Sequence, residues 1–482
     1  MADQMLGRLS RLSRDPLDGD QRVRRGILQA ALLGGGAALA RFFSNPLIAE
    51  AATSPREQAA QAAAERATTG MPTPKIKDLS VIDVAAGSFP HTVVKVTTDQ
   101  AGLYGYGDAS SAGPGASGKL VNVMVEQYLK PLVVGRTVDR IEQIWQLCYQ
   151  SSYYKNDHIQ NCGIAGVCDA LWDIKGRQAG MPVYQLVGGK CRDASDTYVS
   201  PSMGAPGQDP ARAFVEGSKK LVADGYRNIK YVTFARDGAV KNAFGTDTFP
   251  DGGEVAIDRD KWMRSIYAIL EAFRKEMPPE IKLVVDVHSA LDGLHAVQFC
   301  KDCEQFRPWL FIEDVLPVEE AAHYRLIRQQ CTTPQAIGEC WDNPHEWRFL
   351  VEERLIDYIR HHVSHIGGFT AARKIANYAE NFEVNFAWHG VPKSPVGTMA
   401  DATIEQTCQN FGTHEHNPWS PLVEEIYKGD LCQVRNGYLF IDNLKPGWGI
   451  EIDEALAAKH SSYTEKPTIT RTPDGAYIAG SG

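Results

Sequence analysis

The chain has 482 residues, 43% hydrophobic and 23% charged, with a formal net charge of −9. This is the composition of a soluble globular protein long enough for two or three domains, or for one large barrel with an appendage. The acidic balance and the lack of a Lys/Arg-rich patch exclude nucleic acid as a natural partner, and any acidic ligand needs cations supplied locally.

Residues 1–73 read as an address label followed by a linker. Arg22, Arg24 and Arg25 precede a weakly apolar stretch, Gly26 to Ala40, that is too short and too rich in Gly and Ala for a stable membrane span of ~20 apolar residues. The paired arginines ahead of it resemble a twin-arginine export signal, with Gly26 a departure from the usual residue after the pair. The expectation is an exported protein with no membrane span once the signal is removed, or a cytoplasmic one if the segment is only a tail.

From Ile76 to about Gly107 the sequence alternates with period two, around Thr98-Asp-Gln-Ala, and predicts a β-hairpin or meander. Asn122 to about Gln178 carries helical periodicity. Strands followed by helices indicate a small α+β domain over 74–190. From Asp196 onward strand and helix patterns alternate. The strand candidates are Thr197–Ser202, Asn228–Val232, Lys282–His288, Trp309–Asp314, Gln335–Cys340, Ile356–His365, Glu383–Gly390 and Phe411–His416. Eight in order favour a closed parallel (β/α)8 barrel over 191–420, and no GxGxxG loop follows the first strand to suggest a dinucleotide fold. The polar stretch Arg236 to Arg259 reads as a lid-like insertion after the second strand, and 421–482 is a C-terminal segment. Of the ten cysteines only Cys300 and Cys303 form a CxxC pair, and no second pair completes a zinc site; most read as small buried hydrophobes.

Asp286, Glu313 and Glu339 each close an apolar strand run and recur about 27 residues apart, the interval one barrel unit occupies. Three acids at neighbouring strand ends converge, repel one another and resist desolvation, so a shared divalent cation is the simplest way to keep them ionised there. Oxygen-only ligands favour Mg²⁺. Asp314 adjoins Glu313, so the pattern leaves the second ligand open. His288 lies two residues beyond Asp286, which on a strand places both side chains on one face.

Taken together, the run Ala170 to Gly189, Asp286-Val-His288, Phe311 to Asp314, Ile337-Gly-Glu339, Ile356 to Arg360, His365 to Gly368, Trp388-His-Gly390 and Pro446 to Asp453 resemble the enolase superfamily. The likeness lies in its mandelate racemase and muconate lactonizing branch, nearest the mannonate and gluconate dehydratase-like subgroup. The resemblance implies a modified TIM-type barrel under an α+β capping domain that the C-terminal segment completes. It implies Asp286, Glu313 and Glu339 as Mg²⁺ ligands, His288 as general acid, His389 as a pocket histidine able to act as base, and Arg360 and Glu415 as substrate-binding residues. It further implies a small-molecule acid sugar as substrate, dehydrated through an enediolate to a 2-keto-3-deoxy acid, and a homo-oligomeric assembly. One departure stands out. Lys230 occupies the place of the subgroup's second-strand arginine, and no tyrosine follows it in the next loop; Lys230 itself is a base candidate if burial or the cation lowers its pKa. A racemase using Lys230 and His389 from opposite faces, or a binding protein that has lost catalysis, are the alternatives.

Overall fold

A computed structural model describes residues 73–478 apart from 86–89, 112–116, 203–207, 234–245, 249–253, 443–444, 462–468 and 473. The export-signal segment therefore lies outside the described residues, as does most of the lid-like insertion. Thr73–Gly482 forms one compact unit. Among the described residues no helix is long and apolar enough to cross a membrane.

The expected meander is present. β1 (Ile76–Val84), β2 (His91–Thr98) and β3 (Tyr104–Asp108) form an antiparallel sheet in chain order. Helical turns across 117–133 follow, then α1 (Ile141–Gln150) and α2 (His158–Ala179). Asp157 starts α2 by accepting from the Gln160 backbone N–H, and Gly180, left-handed at φ +66°, ends it. α2 is buried along most of its length, and small residues let β3 lie against it. A Cβ on Gly107 would stand 2.0 Å from the Gly166 carbonyl oxygen, so only glycine fits there. The C-terminal segment returns to the same helix: Trp448 donates its backbone N–H to Asp173 Oδ1 (2.8 Å) and its indole N–H to the Asp169 carbonyl (3.0 Å).

All eight barrel strands fall in or against their expected segments: β4 (Ser195–Val199), β5 (Asn228–Val232), then β8 (Lys282–Asp286), β9 (Trp309–Glu313), β10 (Gln335–Ile337), β11 (Tyr358–Ile359), β12 (Asn385–Phe386) and β13 (His414–His416). Between β5 and β8 the insertion contributes two short strands, β6 (Thr246–Thr248) and β7 (Glu254–Ile257), paired antiparallel. The barrel strands pair in parallel in chain order, and β13 returns to β4. β12 meets the run into β13 through a bridge at Phe386 and Phe411, with Phe386 N–H donating to Asn410 and Gly412 N–H to Phe386. A helix follows each strand, and Asp209, Asp258, Asp292, Asn343, Ser394 and Ser420 cap six of these by accepting a backbone N–H.

Strand alternation divides the core. Ile229, Tyr231, Leu283, Val285, Ile312, Ile337 and Ile359 pack outward in the main hydrophobic core, while Tyr198, Val284, Phe311, Ala336 and Ala387, with half-buried Tyr358, fill a separate inner layer. One pleat above that floor, two residues on from Val284, Phe311, Tyr358 and Ala387, stand Asp286, Glu313, Arg360 and His389, and Lys230, in register with Val284, reaches up to them. The apolar layer thus sets the chemistry-bearing side chains at the C-terminal mouth.

Candidate active site

Eight sequence-predicted residues meet in one cluster. Lys230 Nζ lies 2.7 Å from Asp286 Oδ2, 2.8 Å from Glu313 Oε1 and 2.7 Å from Glu415 Oε1. Arg360 reaches Glu313 Oε1 at 2.9 Å and Glu339 Oε2 at 3.0 Å, and pairs with Glu415. His288 Nε2 is 3.0 Å from Asp286 Oδ2, and His389 Nε2 is 3.2 Å from Glu339 Oε2. His288 and Glu339, at 16% and 15% side-chain exposure, are the members that reach toward solvent.

His288 arrives by a different route from the one expected. β8 ends at Asp286, and His288 and Ser289 adopt left-handed conformations (φ +49° and +56°), so a tight turn rather than strand alternation brings the imidazole back onto Asp286. Asp314 is likewise left-handed (φ +41°) and buried, and one of its oxygens accepts the Gly338 N–H (3.2 Å). Glu339 follows Gly338, where a Cβ would sit 2.4 Å from the Arg360 carbonyl carbon, so glycine alone lets this strand end approach β11 and present Glu339.

Electrostatics separate the two histidines. Burial depresses both, but Asp286 outweighs it at His288, which is raised above its usual value, whereas Arg360, Lys230 and Lys393 add to burial at His389 and hold it well below. One ring is disposed to carry a proton and the other to stay neutral. The lysine runs against expectation. Burial does push Lys230 down, but Asp286, Glu313 and Glu415 push harder in the other direction and hold it protonated, so in this arrangement it offers no lone pair. Arg360 and Glu415 also differ from the substrate clamps expected. The Nε, Nη1 and Nη2 donors of Arg360 go to protein groups, including the Tyr198 hydroxyl at 3.0 and 2.9 Å, and Glu415 is held by Lys230, Arg360 and the Gly390 N–H (2.7 Å). Both are buried among the carboxylates of the mouth and fix them. Against burial, the two cations lower Glu415 to about 2.

The donor set fits a hard cation. Five carboxyl groups, Asp286, Glu313, Asp314, Glu339 and Glu415, face two fixed cations, Lys230 and Arg360. Oxygens of Glu313, Asp314 and Glu339 lie within 4.8 Å of one another, and Glu313 Oε2 and Asp314 Oδ2 are buried with no hydrogen-bond donor. Burial raises Glu313 in spite of Arg360 and Lys230, and burial with Glu339 raises Asp314 to about 8 in spite of Arg360: the two cations do not fully offset the burial of these carboxyls. The geometry therefore gives Asp314 a stronger claim beside Glu313 than sequence did, while Asp286 joins the group through Lys230. Tyr198, which orients Arg360 from the first strand, was not anticipated; its only sequence signal is an inward position on β4.

A family model for the mandelate racemase and muconate lactonizing enzyme N-terminal domain matches residues 68–188, and one for the enolase C-terminal domain-like family matches 213–456. The D-galactonate dehydratase family member RspA of Pantoea ananatis is 35% identical over 426 residues, covering 83% of this chain and 98% of the relative. A family member from Salmonella enteritidis is 36% identical over 416 residues, with 83% and 97% covered. The chain belongs to the enolase superfamily. Its place is the mandelate racemase and muconate lactonizing branch, with the D-galactonate dehydratase family, and it is an enzyme of the hydro-lyase type. Among solved structures, an enolase from Pantoea ananatis with bound D-gluconate and Mg superposes with TM-score 0.77 at 33% identity, covering 84% of this chain and 99% of that one. A putative dehydratase from Zymomonas mobilis follows with TM-score 0.70 at 26% identity, covering 82% and 99%. The expected fold, a TIM-type barrel with an α+β cap, holds for this member of the superfamily.

Proposed function

We propose that the enzyme dehydrates a sugar acid with Mg²⁺ held by Asp286, Glu313 and Glu339, Asp314 lying against the same group. The observation that carries this reading is the charge-deficient carboxylate cluster flanked by two histidines whose basicities are pushed apart, the pattern of an acid and base pair. When bound, Mg²⁺ supplies fixed positive charge opposite the charge that develops on the substrate carboxylate as its α proton leaves. His389, neutral at the seventh strand end, accepts that proton. His288, kept protonated by Asp286 on the opposite flank, donates to the departing hydroxyl. Lys230 and Arg360 hold Glu313 and Glu415 in place, and Glu415 orients substrate hydroxyls only where it yields one of its protein partners.

Aldonic acids head the substrate list, supported by the relatives named for D-galactonate and the neighbour that holds D-gluconate. The test is a panel of acid sugars assayed for 2-keto acid formation with and without Mg²⁺. Turnover of at least one aldonic acid that stops on chelation and returns with Mg²⁺ is expected. Undiminished turnover after complete metal removal sinks the reading, as does tight binding without turnover across the panel. Export belongs to the same proposal, supported by Arg24-Arg25 ahead of the Gly26 to Ala40 stretch; mature protein that keeps residues 1–40 in the cytoplasm would refute it. Self-association is a further part of it, checked by light scattering.

A further inference from the structure

Behind Glu339, outside the oxygen cluster, a second group of ligand-bearing side chains converges. His158 and Cys162 stand one turn apart on α2, so they share a face, and His365 comes to them from the short helical turn Val363–Ile366 after β11. One ligating atom from each lies within 4.8 Å of the others, and the two imidazoles approach to 4.3 Å between ring centres. We propose that His158, Cys162 and His365 form a metal site of nitrogen and sulfur character, suited to Zn²⁺.

Hydrogen bonds around the rings already have the form such a site needs. His158 Nδ1 lies 2.7 Å from Asp342 Oδ2, and His365 Nδ1 lies 3.1 Å from the Glu339 carbonyl oxygen. Carboxylate and carbonyl oxygens only accept, so both Nδ1 atoms carry the proton and each neutral ring has its lone pair on Nε2. This is the outer partnership that fixes tautomer and ring orientation in zinc-bound histidines. The Ser111 hydroxyl, 2.6 Å from His158 Nε2, stands as an oxygen beside the three ligands. Cys162 is wholly buried, and burial with Asp342 and Asp108 keeps its thiol protonated. Binding an ion therefore releases one proton to solvent as the thiolate–metal bond forms. Two imidazoles and a thiolate differ in kind from the all-oxygen cluster, so Mg²⁺ does not compete for them. The ion would tie α2 to the backbone carbonyl of Glu339.

Cobalt reads this site apart from the other. Full-length protein stripped with chelator and titrated with Co²⁺ in excess Mg²⁺ should show a near-ultraviolet thiolate-to-cobalt band that saturates at one ion per chain. Zn²⁺ should bleach it. Cys162→Ser should abolish the band, and Asp342→Asn should weaken Co²⁺ binding about tenfold or more. His158→Gln, altering a half-exposed ring, should weaken binding at least as much and serves if the cysteine variant does not fold. Folded wild-type protein without the band overturns the proposal, and so does a band unchanged in either ligand variant. Because the readout is spectroscopic, its failure leaves the dehydratase reading standing, and failure of turnover leaves this site standing.

Discussion

Asp173 on α2 and Glu313 at the end of β9 are both wholly buried, yet each oxygen of the first has a donor while one oxygen of the second has none. Asp173 Oδ1 accepts the Trp448 N–H, and Oδ2 accepts from Tyr106 N–H (3.0 Å) and Arg177 Nε (3.1 Å). It ties the β-meander, the central helix and the returning C-terminal segment together. Glu313 shares Lys230 and Arg360 with four other carboxylates and keeps Oε2 unpaired. A satisfied buried charge is scaffold, and an unsatisfied set of them marks where a ligand completes the bonding.

The strongest way to break this contrast is to exchange equivalent changes between the regions. Glu339→Gln removes one oxygen ligand and its charge from the mouth, and the expected loss is about 10³-fold in kcat, from several kcal/mol of charge stabilisation. Asp173→Asn should leave kcat within about twofold. Steady-state rates with folding checked by circular dichroism decide it. A larger kcat effect at Asp173 than at Glu339 would end the division into scaffold and site.

The two histidines sharpen the picture through pH. His288 is raised, so its protonated form and hence activity fade as pH climbs above the ordinary histidine range; His389 is lowered, so activity fades only at pH well below it. A bell-shaped kcat/KM profile with a broad top is expected. His288→Asn should lose the basic limb along with about 10²–10³-fold in rate. Retention of that limb would assign it to another group. Gly338→Ala should follow at about 10²-fold, because a Cβ 2.4 Å from the Arg360 carbonyl carbon displaces Glu339 without touching its charge. Normal activity in that variant would mean that the strand end relaxes freely.

Much of this architecture was legible along the chain because its causes are local. Short strand runs alternating with helix patterns located all eight barrel strands, and the acids closing three of them pointed to the mouth. The meander and the helical stretch of the cap were legible for the same reason. What stayed hidden depends on partners far apart in sequence. Arg360 is engaged by Tyr198, 162 residues away, and the charge on Lys230 is held by Asp286, Glu313 and Glu415, the last of them 185 residues on. The left-handed turn at His288 carries no Gly or Asn to announce it. β11 and β12 are two residues each, yet backbone hydrogen bonds to the neighbouring strand continue past them, from Arg360 N–H to Ile337 and from His389 N–H to His361, and hold both residues at the mouth. The grouping of His158 with His365 depends on how α2 packs on the turn after β11, which no spacing encodes.

Asp173 gives the smallest effect on turnover and tests the scaffold half through stability. Burial is the largest influence on its carboxyl and raises it to about 6, although Arg177 and two backbone N–H groups pull the other way. Arg177 is itself raised by the pair, against burial, so both shifts agree that the contact is made and that desolvation of the acid costs more than the contact returns. An acid whose folded pKa exceeds its unfolded one binds its proton more tightly in the native state. Stability from this group therefore rises as pH falls from above 6 toward 3.8 and is lost as pH rises again, with a span on the order of 3 kcal/mol. Urea melts of the wild type and Asp173→Asn across that window should differ in slope, the variant lacking the rise toward acid. Parallel slopes would show that Arg177 and the backbone donors fully offset the burial of this charge.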